Sequence, residues 1–211
     1  MTVPLPSGAD LSAPSEGSVP SAKARDAGLA RRIAERDGEA LSQVLDEQFT
    51  RVFAVARRMV GNDTDAEDIA QDVFLRLWRV PPDLSDERAL LSTWLYRVTS
   101  NLSFDWLRRK RPEPLDDRQE MPGTEPAPDA SAAGHQVARQ VDAALAGLPD
   151  RQRLALALTY YEGLTNTETA DVMETSVEAV ESLLARARRG VRGTLDGQWR
   201  DLLDAIGDMD R

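Results

Sequence analysis

Cysteine is absent from the sequence, and histidine occurs once, at His135. Without thiols the chain can form neither disulfide bonds nor thiolate metal sites, which suits a reducing compartment such as the cytoplasm. The sequence also lacks a recognisable nucleophile–base pair, a glycine-rich phosphate loop and a cluster of metal ligands. We therefore expect no catalytic residues, no metal and no cofactor, and these absences argue against an enzyme.

Long apolar runs are missing as well. The longest, Leu154 to Leu158, is far too short to cross a bilayer. The first residues have neither the basic region nor the apolar core of a secretory signal. These features predict a cytoplasmic protein that does not insert into a membrane.

Positive charge is scarce overall, since the net charge is −10. It is nevertheless concentrated: residues 101–111 hold four bases and one acid, and residues 183–193 hold four arginines and no acid. Residues 61–72, by contrast, hold five acids and no base. Because phosphates attract clustered cations, the two basic patches predict contact with nucleic acid, and the acidic segment predicts a different partner.

The hydrophobic spacing predicts an all-α protein made of two small helical domains joined by a flexible acidic linker. Proline, glycine and serine punctuate the chain at its amino end and between the domains. The predicted segments are a disordered extension (1–24), a first domain (25–111), a linker (112–134), a second domain (135–193) and a tail with a short amphipathic helix (194–211).

Four helices are predicted in the first domain. The first covers residues 29–35, the second 39–60 and the fourth 89–110. The third begins at a capping box formed by Thr64 and Glu67. Gly61 and Asn62 are expected to end the second of them. In the third helix Asp68, Gln71 and Asp72 stand at i, i+3 and i+4, so they share an exposed face. The aromatic side chains of Trp94 and Trp106 in the fourth helix are placed in the core rather than under a DNA base.

The second domain contains a helix-turn-helix pattern between Leu148 and Arg192. Thr165 and Glu168 form a capping box, and residues 174–176 provide a turn and a second cap. Apolar residues then recur at helical spacing, at Val180, Leu184, Ala187 and Val191. The remaining surface of this last helix is rich in arginine, which predicts that it enters the major groove of DNA.

Taken together, these segments resemble bacterial RNA polymerase sigma factors of the extracytoplasmic-function type, a group of the sigma-70 family. The stretch DAEDIAQDVFLRLW from Asp65 to Trp78 is similar to their region 2.2. Residues 93–101 and 105–108 are similar to regions 2.3 and 2.4, and Leu148-Pro149, residues 162–164 and residues 176–188 to region 4.

The resemblance implies a function and three sets of contacts. It implies a subunit that binds the beta-prime coiled coil of core RNA polymerase, directs transcription initiation at promoter DNA in a stress response, and is held by an anti-sigma factor. The polymerase contacts would be Asp68, Gln71 and Asp72; the minus-ten DNA contacts Asn101, Arg108, Arg109 and Arg111; and the minus-35 DNA contacts Ser176, Glu178, Ala179, Glu181, Ser182, Arg186, Arg188 and Arg189.

The reading helix, which is the predicted DNA recognition helix, departs from the family pattern at four positions. The usual small residue, threonine, basic residue and arginine are replaced by Glu178, Ala179, Glu181 and Leu183. A carboxylate cannot bind phosphate, although it can accept a hydrogen bond from the cytosine amino group. Glu174 likewise stands where glycine is frequent in the turn. Two alternatives stay open: a sigma-like decoy that sequesters an anti-sigma factor, and an ordinary helix-turn-helix regulator.

Overall fold

The computed structural model describes residues 22–84, 90–110 and 143–194, and the regular structure in these ranges is helical, as predicted. The helices are α1 (Ala22–Ala34), α2 (Gly38–Val60), α3 (Asp63–Arg79), α4 (Leu91–Lys110), α5 (Asp150–Leu156), α6 (Asn166–Met173) and α7 (Val177–Thr194). A π-helical turn, Ala157–Tyr161, continues α5, and residues 143–146 are also helical. We call α1–α4 the N-terminal unit and residues 143–194 the C-terminal unit.

Helix α2 begins and ends at residues that favour its boundaries. The carboxylate of Asp37 accepts hydrogen bonds from the backbone N–H groups of Glu39 and Ala40, which otherwise lack helical partners. At the other end Gly61 adopts a left-handed conformation with φ of 86°, and its N–H donates to the Arg57 carbonyl. The predicted end of this helix at Gly61 is therefore confirmed.

The cap of helix α3 lies two residues before the predicted cap residue, Thr64. The cap is Asn62, which is extended and accepts a hydrogen bond from the Asp65 N–H, so the predicted box at Thr64 and Glu67 is wrong. The sequence offers two cap residues, Asn62 and Thr64, each three positions before an acid. The left-handed Gly61 turns the chain so that the Asn62 side chain reaches the free N–H of Asp65 in the first turn of α3. The acids of the first turn still complement the helix dipole.

The N-terminal unit packs α3 and α4 against α2, with α1 alongside. The fully buried apolar side chains that fill it include Ile33, Val44, Val52, Met59, Leu77 and Leu95. Trp94 and Trp106 are half-buried and pack against the edge of this core rather than within it.

Two predicted boundaries need correction. Helix α1 begins at Ala22, so residues 22–24 are helical rather than part of a disordered extension. It therefore starts seven residues before the predicted short helix at 29–35. In these added turns Arg25 pairs with Glu47 of α2, and the Asp26 carboxylate accepts a hydrogen bond from the Leu91 N–H. The predictions for the rest of the extension, for the linker and for the tail fall outside the described residues.

The C-terminal unit has the predicted helix-turn-helix. Thr165 and Glu168 form the complete capping box of α6, with the Thr165 side chain accepting from the Glu168 N–H and the Glu168 carboxylate accepting from the Thr165 N–H. The turn before α7 passes through Glu174, which is left-handed with φ of 49°. Ser176 then accepts a hydrogen bond from the Ala179 N–H and starts the reading helix.

Replacing Thr165 by alanine removes the hydroxyl that accepts a hydrogen bond from the Glu168 N–H in the capping box. We expect the free energy of unfolding to fall by about 1 kcal/mol. That change corresponds to a decrease of about 2–4 °C in the melting temperature for a chain of this size. Thermal unfolding followed by circular dichroism measures it, with Thr165→Ser as the control that keeps the hydroxyl. An alanine variant as stable as wild type would show that the Thr165 hydroxyl contributes nothing to the stability of the fold.

The two units are in contact, which no sequence pattern predicted. One cluster of buried apolar side chains runs from the core of the N-terminal unit into the C-terminal unit, where it includes Leu154, Leu158 and Val180. A smaller cluster of Leu145, Leu148, Ala187 and Val191 lies within the C-terminal unit. Several polar contacts cross between the units as well.

Candidate nucleic-acid and polymerase interfaces

The exposed side of α3 carries the predicted polymerase contacts. Asp68, Gln71 and Asp72 are all exposed and lie on one face, as their spacing predicted. Leu75 extends this face by one turn, and its side chain is 46% exposed. Sequence analysis missed Leu75, although it stands three residues after Asp72. The face thus combines negative charge with an apolar end, a composition suited to binding another protein.

The predicted minus-ten residues lie towards the carboxyl end of α4. Asn101 is exposed, and so are Arg108 and Arg109. The Arg108 guanidinium pairs with the Asp105 carboxylate at 2.9 Å, and the Arg109 Nε donates to the Asp105 carbonyl at 3.2 Å. These local bonds orient both guanidinium groups while leaving them open to solvent. Arg111, the fourth predicted residue, lies outside the described residues.

Lys110 connects the end of α4 to the start of α3. Its ammonium group lies 3.1 Å from the Asp65 carboxylate and 4.4 Å from the centre of the Trp106 ring. Partial burial opposes ionisation of Asp65, but hydrogen bonds from Asn62 and Lys110 outweigh it and hold the pKa of this carboxyl below its ordinary value. The charge of Lys110 is therefore partly neutralised by Asp65, and that of Arg108 by Asp105, whereas Arg109 is bonded to a carbonyl group.

The reading helix α7 turns one face inward and the opposite face to solvent. Its buried stripe consists of Val180, Leu184, Ala187 and Val191. Since successive helical residues are rotated by about 100°, Glu178, Ser182 and Arg189 point away from this stripe. Glu178 and Arg189 are exposed, and Ser182 is half-buried. This outward face is the surface that a helix-turn-helix presents to the major groove.

The other predicted minus-35 residues border that face. Ser176, Glu181, Arg186 and Arg188 are exposed, and Ala179 is half-buried. The Arg188 guanidinium donates to the Tyr160 hydroxyl at 2.7 Å, which fixes its direction. Tyr160, on the π-helical turn, was not predicted as part of this surface, because its contact with α7 depends on how the helices pack.

Glu178 is held in its ionised form. Hydrogen bonds from its own backbone N–H and from the Ser176 hydroxyl hold the pKa of the Glu178 carboxyl below its ordinary value. At neutral pH the outward face of α7 therefore begins with a hydrogen-bond acceptor and continues to arginines in its second half.

The structure brings the two predicted DNA-binding helices near each other and keeps the acidic face on a separate helix. Arg97 of α4 donates to the Asp171 carbonyl at 2.8 Å and pairs with the Glu174 carboxylate at 3.3 Å, at the turn that precedes α7. Asn101 lies one helical turn beyond Arg97. The predicted minus-ten and minus-35 residues therefore flank one contact between the units.

Within residues 22–84, 90–110 and 143–194, neither a metal site nor a membrane-spanning helix accompanies these surfaces. In the part of the chain that the structure describes, no group of three or more histidine, aspartate or glutamate side chains is placed to hold a metal ion. Among the same residues, no helix combines the length and apolar character needed to cross a bilayer.

The helical fold, the exposed helix-turn-helix and the arginines on two helices define the chain as a DNA-binding protein of the helix-turn-helix class. Comparison with known families is more specific. Residues 47–113 match the model of sigma-70 region 2, and residues 138–189 match the model of sigma-70 region 4.

Individual relatives agree with the family models. The chain is 29% identical over 184 residues to the ECF RNA polymerase sigma factor SigW of Bacillus subtilis (strain 168), covering 82% of this chain and 95% of the relative. Its fold is similar to CnrH in the structure of CnrH with the cytosolic domain of CnrY, with a TM-score of 0.63, 28% identity, and coverage of 82% of this chain and 97% of CnrH.

A more distant solved structure shares the fold. The sigma factor RpoE in complex with the anti-sigma factor NepR from Bartonella quintana has a TM-score of 0.56 at 20% identity, with 74% of this chain and 96% of that chain covered. The chain belongs to the sigma-70 family of RNA polymerase sigma factors, in its extracytoplasmic-function group.

Proposed function

We propose that this chain is a dissociable specificity subunit that binds core RNA polymerase and directs it to promoters with minus-ten and minus-35 elements. The proposal is supported mainly by the order of the two family matches along the chain. In the structure, α3, the end of α4 and the outer face of α7 are exposed, so all three are accessible to partners. Sigma factors act by binding rather than by chemistry of their own, which agrees with the lack of catalytic motifs in the sequence.

Each surface suits a different part of the complex. DNA would repel the face of Asp68 and Asp72, so this face is better suited to a basic protein surface, and we assign it to the beta-prime coiled coil of the polymerase. Asn101 offers an amide that can hydrogen-bond to an unstacked base in the opened minus-ten region, while Arg108 and Arg109 hold the backbone.

The face of α7 would bind the minus-35 element as a duplex. Its first turns are the part of a recognition helix that contacts base edges, so we assign base contacts to Ser176, Glu178, Ala179, Glu181 and Ser182. Arg186, Arg188 and Arg189 are assigned to phosphates, which position the helix without reading sequence. The assignment follows the charge: the acids lie where bases are read, and the arginines lie where the backbone passes.

An anti-sigma factor is the expected inhibitory partner. CnrH, which is similar to this chain, was solved with the cytosolic domain of CnrY. We propose that a protein domain covers the exposed surfaces of α3, α4 or α7 in this chain until a stress signal releases it.

Run-off transcription tests the main proposal. Bacterial core RNA polymerase is mixed with the purified chain and a pool of genomic DNA fragments, and the 5′ ends of the transcripts are sequenced. We expect transcripts that start at a common distance from two shared sequence elements, and no such transcripts from core enzyme alone. A chain that binds an anti-sigma factor but yields no specific transcript would instead be a decoy, and a chain that binds DNA without binding core enzyme would be an ordinary regulator.

A further inference from the structure

A tyrosine outside α7 lies against the side of this helix. The Tyr160 hydroxyl accepts a hydrogen bond from Nη1 of Arg188 at 2.7 Å, across 28 positions of the chain. The two side chains differ in exposure: Tyr160 is half-buried and its ring packs against the main apolar cluster, whereas Arg188 is exposed. Tyr160 therefore gives the guanidinium group of a surface arginine a fixed point of attachment.

The position of Tyr160 depends on the π-helical turn Ala157–Tyr161. Backbone bonds in such a turn join residues five apart rather than four, so the side chains that follow point in other directions than in a continued α-helix. A pair of hydroxyls, Thr159 with the fully buried Thr169 of α6, lies 3.2 Å apart and ties the turn to the next helix. The turn is thus held where the Tyr160 hydroxyl reaches α7.

Arg186 and Arg188 lie on opposite flanks of α7. Since successive helical residues are rotated by about 100°, the directions of these two side chains differ by about 160°, and the outward face lies between them. A helix in the major groove, which is about 12 Å wide, has a sugar-phosphate backbone on each side. The two arginines therefore approach the phosphates of different strands, and Tyr160 lies on the side of Arg188.

An acid limits where a DNA strand can approach this flank. Glu181 is exposed and points in nearly the same direction as Arg188, about 10 Å earlier along the helix axis. Its negative charge repels phosphate, so the strand can come close only nearer the carboxyl end of α7, where Arg188 lies. Within residues 22–84, 90–110 and 143–194, no carboxylate pairs with Arg188, so its charge is not neutralised there.

The bond between the two side chains leaves donors for a ligand. A phenol has one O–H donor besides its acceptor lone pairs, and a guanidinium group has five N–H donors. Because the Tyr160 oxygen accepts from Arg188, its own O–H hydrogen points elsewhere, and four N–H groups of Arg188 remain. Phosphate oxygens in DNA accept hydrogen bonds from both tyrosine and arginine.

We propose that Tyr160 and Arg188 together form a phosphate site, in which one backbone phosphate of the minus-35 element accepts hydrogen bonds from the Tyr160 O–H and from the Arg188 guanidinium group. Tyr160 then has two effects, since it contacts DNA and also directs Arg188 towards the strand. A guanidinium group that is held before binding loses less conformational freedom on binding. The inference rests on the proposed function, because it takes α7 to lie in the major groove of that element.

The affinity of the holoenzyme, assembled from the full chain and core RNA polymerase, for a promoter fragment recovered by run-off transcription tests the direct contact. Tyr160→Phe keeps the ring and removes only the hydroxyl, and we expect about a tenfold loss of affinity, the scale of one hydrogen bond to a charged group. The double variant Tyr160→Phe with Arg188→Ala should bind about threefold more weakly than Arg188→Ala alone. Equal affinity of these two variants would mean that the hydroxyl does not touch DNA, and the proposal would be wrong.

Uncharged methylphosphonates, placed at one phosphate at a time along both strands of the minus-35 element, locate the site. For the wild type we expect one position at which the replacement weakens binding about tenfold and at which Tyr160→Phe no longer responds. Each comparison uses two DNA fragments with the same protein, so a loss of folded protein cancels. Arg186→Ala is the matched control, and it should lose its response at a phosphate of the other strand. A pattern in Tyr160→Phe identical to that of the wild type would overturn the site.

Transcription and methylphosphonate results separate the two proposals. If specific transcripts are made but the response to methylphosphonates does not depend on Tyr160, the phosphate site fails while the sigma function stands. If no specific transcript is made, the same scan is run with the chain alone on duplexes selected from a random pool. A phosphate whose replacement matters in the wild type and not in Tyr160→Phe would then support the site in a DNA-binding protein that is not a sigma factor.

Discussion

A chain carrying both Asp68→Lys and Asp72→Lys is expected to bind core RNA polymerase about 100-fold more weakly than the wild type, because like charges brought together in an interface cost several kcal/mol. Both carboxylates are exposed on α3, so their replacement leaves the core of the N-terminal unit intact. The measurement is the dissociation constant of the labelled chain with core enzyme at two salt concentrations. The loss should be larger at low salt, where charges are screened less.

The matched control changes the net charge by the same amount elsewhere. Glu35→Lys with Asp46→Lys reverses two exposed acids, one in the turn after α1 and one on α2. We expect this variant to bind core enzyme with nearly wild-type affinity. Equal losses in both variants would mean that the polymerase senses only total charge, and the assignment of the α3 face would then be wrong. A third variant, Leu75→Ser, tests whether the apolar end of the face contributes without any change of charge.

Sequence patterns predicted those parts of the fold that depend on residues a few positions apart. Gly61 ends α2 because glycine adopts the left-handed conformation with little strain. Thr165 and Glu168 start α6 because the capping box needs only residues three apart. The outward face of α7 follows from the period of its buried stripe. In each of these cases the physical cause lies within one or two helical turns.

Competition between equally local signals explains the error at α3. Asn62 and Thr64 are both suitable cap residues, and both precede an acid by three positions. The structure selects Asn62, whose φ and ψ of −145° and 159° are those of an extended cap residue, directly after the left-handed Gly61. The choice depends on where the preceding helix ends and on how α3 must then lie against α2. A pattern confined to α3 does not contain that information.

The contact between the units was beyond prediction for a different reason. Arg153 and Met59 are 94 positions apart, and nothing in the intervening sequence specifies their pairing. Arginine is usually exposed, so a buried arginine in α5 contradicts its ordinary tendency. It is stabilised by carbonyl groups that the fold assembles and by the Asp150 carboxylate 3.8 Å away. Glu162 is a similar case, since its partners Tyr96 and Arg58 come from two other helices.

Changing Glu178 to glutamine should change which base the reading helix prefers. An ionised carboxylate accepts a hydrogen bond from the cytosine amino group, whereas a glutamine amide both accepts and donates and pairs with adenine through two bonds. We expect selection of binding sites from random duplexes to return cytosine at one minus-35 position with the wild type and adenine there with Glu178→Gln. The discrimination between the two bases should be about tenfold, which corresponds to one good base contact.

Two further variants show whether Glu178 itself reads the base. Glu178→Ala should remove the preference at that position while keeping it elsewhere, because alanine offers no acceptor. Glu181→Gln removes the same charge from the side of α7, about 60° around the helix from Glu178, so any change it causes should appear at a different position or on phosphate affinity. A base preference that is identical in the wild type and in Glu178→Gln would leave this carboxylate only its bonds to Ser176 and to its own N–H, as a stabiliser of the helix start.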